Sequence, residues 1–82
     1  MKQNVLILKI EGIKENAVKA QEVLTQYGCL IQARLGIHES SGMICSNSGL
    51  VILILQNNPD EIKAFQEALN NTTGVKAILV TI

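Results

Sequence analysis

Aromatic side chains are almost missing from this 82-residue chain, which has no Trp, one Tyr and one Phe. A surface that stacks nucleic-acid bases needs several of them, so base reading by stacking is excluded. An excess of charge of either sign is missing too. Seven basic residues balance seven acidic ones, which leaves no electrostatic footprint for a nucleic acid or an anionic membrane. Two Cys do not make a disulfide framework. Long apolar runs are also absent. The longest, residues 50–55, spans six residues, far short of a membrane span. Met1, Lys2, Gln3 and Asn4 precede only a short apolar stretch before Lys9, so no signal peptide is visible. These absences predict a cytoplasmic address without membrane or nucleic-acid partners.

The hydrophobic fraction is nevertheless 48%. With so few rings, the core must be built from Leu, Ile, Val and Ala. The length suits one domain, 1–82, with a small core and marginal stability.

Periodicity divides the chain into six elements. Residues 5–11 are rich in Val, Leu and Ile and predict a strand, with Leu6, Leu8 and Ile10 on one face and Val5, Ile7 and Lys9 on the other. Gly12 then permits a tight turn. Ile13, Ala17, Ala20, Leu24 and Tyr27 share one helical face, and Gly28 stands where a C-cap glycine would. Residues 29–37 alternate and predict an edge strand. Its buried face would be Cys29, Ile31, Ala33, Leu35 and Ile37, its wetter face Leu30, Gln32, Arg34 and Gly36. Residues 50–55 are apolar on both faces, as in a central strand. Asn58, Pro59 and Glu61 have the spacing of a helix start. Ile62, Phe65, Ala68 and Leu69 form the stripe of that helix. A final strand covers 75–82.

The order is βαββαβ. Right-handed crossovers in both halves give a four-stranded antiparallel sheet of order 4-1-3-2 with two helices on one face. This is a ferredoxin-like α+β sandwich. Its helices cover only one face of the sheet. The other carries aliphatics, either the Leu50 or the Val51 set of the third strand with partners from the first. An apolar face of that kind marks an interface, so a homodimer or higher oligomer is expected. The alternative is that the 36–49 stretch folds back over it.

The topology serves several functions. The turn after the first strand, Glu11-Gly12-Ile13-Lys14, has no Cys-x-x-Cys pair for metal carriage and no Arg for acylphosphatase-type chemistry. Arg34-Leu35-Gly36-Ile37, Gly49-Leu50-Val51-Ile52-Leu53 and Gly74-Val75-Lys76 give the whole chain a resemblance to the small ACT-like iron-only hydrogenase system regulators. Their fold is close to the metal-sensing C-terminal domain of nickel-responsive repressors. The resemblance implies a regulatory, ligand-binding module that acts through homo-oligomers, with a small-molecule effector or another regulatory protein as partner. It also implies a ligand near the turn after the first strand, at Glu11 and Gly12, with Arg34 as a further contact. The proline of the usual ACT pattern is missing at that turn.

The 38–49 stretch is longer than an ordinary hairpin connection of about two to five residues and reads as a loop. It holds His38, Glu39 and Cys45, all able to ligate a transition metal. One chain offers too few for a closed zinc site, whereas two loops meeting in a dimer would offer two His and two Cys. The plainer reading makes His38 an edge-strand residue and Cys45 a small hydrophobe beside Met43 and Ile44. Cys29 is expected in the core, and a Cys29–Cys45 disulfide is not expected in a reducing cytoplasm. A Cys45–His38 nucleophile pair would lack an orienting group and an oxyanion site, so no enzyme is expected.

Overall fold

The structure, a computed structural model, describes residues 2–12, 14–41 and 44–82; for 37–41 and 44–48 it describes the backbone alone. The elements run β1 (Asn4–Ile10), α1 (Lys14–Gln26), β2 (Ile31–Ser41), β3 (Ile44–Leu55), α2 (Pro59–Asn70) and β4 (Val75–Thr81). The sheet order is β2-β3-β1-β4, antiparallel throughout. The ferredoxin-like α+β sandwich expected from the sequence is thus what forms.

One face of the sheet makes the core. Leu6, Leu8 and Ile10 of β1, Val51, Leu53 and Leu55 of β3, and Val75 and Ala77 of β4 are buried there. Ala20 and Leu24 of α1, and Ile62, Phe65 and Leu69 of α2, close over them. The helical stripes of the sequence therefore sit as expected, apart from Ile13, which lies outside the described residues. The only two aromatics meet: the Tyr27 and Phe65 rings stack with centroids 4.8 Å apart, tying the end of α1 to α2. Asn58 caps α2, its side chain accepting from the Glu61 amide at 3.3 Å, with Pro59 in the first turn.

Three local expectations are corrected. Gly28 is not a left-handed cap, since among the described residues only Gly12 (φ +99°) and Gly74 (φ +77°) have positive φ. The chain instead passes through a 3₁₀ turn over Gly28–Leu30. That turn buries Leu30 and leaves Cys29 exposed, the reverse of the expected assignment. The second correction concerns β2. A register shift between Ile31 and Ala33 breaks its alternation. Ile31 packs on the core, while Ala33 and Leu35 fall on the face without helices. A bulge inserts one unpaired residue, so every side chain beyond it changes face.

The third correction is the largest. Of the stretch expected to be a loop, residues 38–41 and 44–49 are strand; 42 and 43 lie outside the described residues. The strand backbone continues the β2–β3 ladder through His38↔Gly49 and Ser40↔Cys45 to Ser41↔Ile44. β1 stops pairing at Ile10↔Gly49, so the hairpin runs on as a two-stranded arm. A twelve-residue strand such as β3 spans about 40 Å at ~3.3 Å per residue, which accounts for molecular extents of 43 × 21 × 18 Å.

Candidate functional site

Among the described residues no helix covers the second face of the sheet. Antiparallel register sets its side chains in rows. Leu35, Ile52, Ile7 and Ile78 form one row across all four strands, and Ala33, Ile54, Val5 and Val80 the next. Leu35 and Ile78 are more than half exposed, at 57% and 58%. The choice left open by the sequence is settled here: the Leu50, Ile52 and Ile54 set is uncovered, and the Val51 set is buried.

The following row changes character. There Leu50, Lys9 and Lys76 stand side by side. Like charges directly opposite across two strands repel. Glu11 offsets this, its Oε1 lying 2.7 Å from Lys9 Nζ. The hydrogen bond and charge of Lys9, with a smaller contribution from Lys76, hold the Glu11 carboxyl below its ordinary value of 4.5.

Beneath these charges two turns are locked together. The Glu11 amide donates to the Gly74 carbonyl at 2.8 Å. Asn16, buried at the start of α1, donates from Nδ2 to the Glu11 carbonyl at 2.9 Å. Any Cβ on Gly74 would strike both the Glu11 carbonyl and the Asn16 amide. Gly12 and Gly74 therefore supply a conformation and a clearance that only glycine provides. The result is a cleft of about 320 Å³ lined by Lys9, Glu11, Gly74, Val75 and Lys76. It suits an anionic or zwitterionic group, with two ammonium groups and one carboxylate at its rim.

Of the residues singled out in the sequence, Glu11 lines this cleft and Gly12 forms its supporting turn. Arg34 is not brought to it. It stands on β2, two strands from β1, opposite Leu53 of β3, and its guanidinium donates to Gln21 Oε1 at 2.8 Å, holding β2 to α1. Lys9, Lys76 and Gly74 were missed, because only the strand register brings them to Glu11. The side chains of His38, Glu39 and Cys45 lie outside the described residues. Among the described ones no group of three His, Cys, Asp or Glu could hold a metal. A larger depression of about 500 Å³ runs along α1 at Ala17, Val18, Gln21, Glu22 and Thr25. The described residues lining it come from that one helix. No helix among the described residues is long and apolar enough to cross a membrane.

Neither a family model nor a curated protein matches this chain. Solved structures do. An uncharacterized protein from Thermotoga maritima superposes with a TM-score of 0.80 at 20% identity, over 100% of this chain and 99% of that one. CPII from Thiomonas intermedia K12, described bound to ADP, AMP and acetate, gives 0.60 at 15% identity, over 99% and 86%. A dimeric ferredoxin-like protein from an uncultured marine organism gives 0.52 at 5% identity, over 99% and 92%. At such identities the likeness is one of fold: the chain is similar to small ferredoxin-like and PII-like proteins, built on the same sheet and helices.

Proposed function

We propose that this protein is a small regulatory module that binds a small anionic ligand at the Lys9–Glu11–Lys76 cleft and acts through contact between copies. It works by binding and has no catalytic role, and its setting is the cytoplasm. One observation carries the reading: a two-row aliphatic face, open across all four strands, runs directly into that charged cleft. A second copy seated on the face removes the aliphatics from water, at ~25 cal/mol per Å². It also places the cleft at the margin of the contact, where a ligand would change the affinity between copies. The ACT-like resemblance supports a ligand at this turn, and within it an iron-only hydrogenase system is the regulated target. The dimeric neighbour and the nucleotide-bound PII-like neighbour support the same picture, and make ADP and AMP the first ligands to test.

Two measurements test this separately. Sedimentation should give a dimer or larger, reduced by Ile52→Lys on the open face; a stable monomer at micromolar concentration overturns the association. Thermal shift with ADP, AMP, free amino acids and inorganic phosphate should give a stabilising ligand whose effect is lost in Lys76→Met. A flat response to all of them sinks the ligand reading. The metal alternative at His38 and Cys45 is tested by metal analysis beside His38→Ala and Cys45→Ala, and equal metal content in all three removes it.

A further inference from the structure

The sheet has two edges, and they are unlike. The β2 edge is broken by register shifts at Ile31/Ala33 and at His38/Ser40, and bulges of this kind spoil an edge for pairing. The β4 edge pairs with β1 without a shift. Its backbone groups alternate in direction. Ile82 exchanges both hydrogen bonds with Gln3, toward β1. Ala77 faces the other way: its amide donates to Asn70 Oδ1 at 2.8 Å, and its carbonyl accepts from Asn70 and Gln66 at 3.1 and 3.2 Å. By the same alternation the amides and carbonyls of Leu79 and Thr81 point outward. Beside them lies a groove of about 300 Å³ between β4 and the start of α2, with Pro59, Ile62 and Lys63 on its far wall. On the open face of β4, Ile78 and Val80 are 58% and 40% exposed, and Ile82, just past its end, is 79% exposed.

We propose that β4 pairs with β4 of a second copy, antiparallel about a twofold axis at Val80, as an interface separate from the open face. In this register Leu79 of each copy exchanges both backbone bonds with Thr81 of the other, about four hydrogen bonds in all. Val80 meets Val80, and Ile78 meets Ile82 of the other copy, so the exposed aliphatics become cross-strand pairs. The segment is complementary to itself, as a twofold contact requires. Asn70 fixes the register. A shift toward α2 would need the Ala77 amide and carbonyl, which Asn70 already holds. Two four-stranded sheets thus become one continuous sheet, and the open faces of the pair lie side by side.

The test uses Cys29→Ser, Cys45→Ser and Ile52→Lys together, which removes the native thiols and blocks face contact. At a non-hydrogen-bonded pair the two Cα atoms lie ~4.5 Å apart, within disulfide reach. Val80→Cys in this background should oxidise to a covalent dimer, and Ile78→Cys should not. No dimer from Val80→Cys, or equal crosslinking at both positions, overturns the pairing. Thr81→Pro in the otherwise native chain removes the outward amide together with the Thr81 hydroxyl's bond to Asn4 Oδ1 at 3.2 Å, which Thr81→Val removes alone; Thr81→Pro should halve the sedimenting mass and Thr81→Val should leave it unchanged. An unchanged mass for Thr81→Pro with native circular dichroism overturns the pairing as well. Ile52→Lys alone reports on the open face, so the two interfaces fail independently.

Discussion

Leu53 and Ile52 are adjacent on β3, and they stand in opposite worlds. Leu53 is fully buried under the helices, whereas Ile52 points to the uncovered face in a row with Leu35, Ile7 and Ile78. Both are aliphatic and both follow the same strand logic. What separates them is whether the chain brings its own cover. On the helix face the core is completed within one molecule. On the open face no helix among the described residues closes over the aliphatics, and this is the surface that the proposed contact between copies uses.

Substitutions at the two faces break or sharpen that contrast. Leu53→Ala should cost about 2–5 kcal/mol, because neighbouring helices cannot collapse into the space. Urea unfolding reads this, and a loss of under about 1 kcal/mol would mean that the helix face is not the core. Gly74→Ala acts at the turn beneath the cleft. Its positive φ and the absence of room for a Cβ predict a loss of ~1–3 kcal/mol, with weakened ligand response; a neutral result would show that the two turns are not locked. Ile52→Ala should cost less than ~1 kcal/mol in the monomer, while lowering the concentration of associated species. If dilution to monomer leaves its cost equal to that of Leu53→Ala, the distinction between faces fails. The smallest effect is electrostatic. Glu11 is held below its ordinary value of 4.5 by Lys9, so its contribution is present above the unfolded value. It is lost as pH falls through the lower folded value. The pair is solvent-exposed and its effect is screened by salt. Carboxyl titration by NMR should show the Glu11 value rising toward 4.5 in Lys9→Met, and no change would remove Lys9 as the cause.

Much of the architecture was readable from period alone. The helical stripe Ala20, Leu24 and the stripe Ile62, Phe65, Leu69 sit where four-three spacing places them. The start of α2 follows from Asn58, Pro59 and Glu61. The strand order follows from the handedness of two crossovers. What escaped reading was local. Alternation in residues 29–37 looks uniform, yet a 3₁₀ turn and a bulge divide it, and the sides of Leu30 and Leu35 depend on both. The arm was hidden because Ser, Asn and Gly are turn residues, yet the ladder carries them to Ser41↔Ile44. Of the candidate cleft, the Glu11–Gly12 turn could be singled out in the sequence, through a resemblance; Arg34, named beside it, stands on β2 bound to Gln21.

The sequence by itself determined the fold class, the six elements and the existence of an apolar face without helices. These follow from periodicity, capping and chain handedness, which act over a few residues or one crossover. Tertiary structure alone decided which aliphatic set is uncovered, that residues 38–41 and 44–49 extend the hairpin as an arm, and that a cleft joins Lys9 and Glu11 to Lys76. Each of these depends on strand register, and register is set by packing of the whole sheet: one bulged residue reverses a face, and no local pattern records where that residue falls.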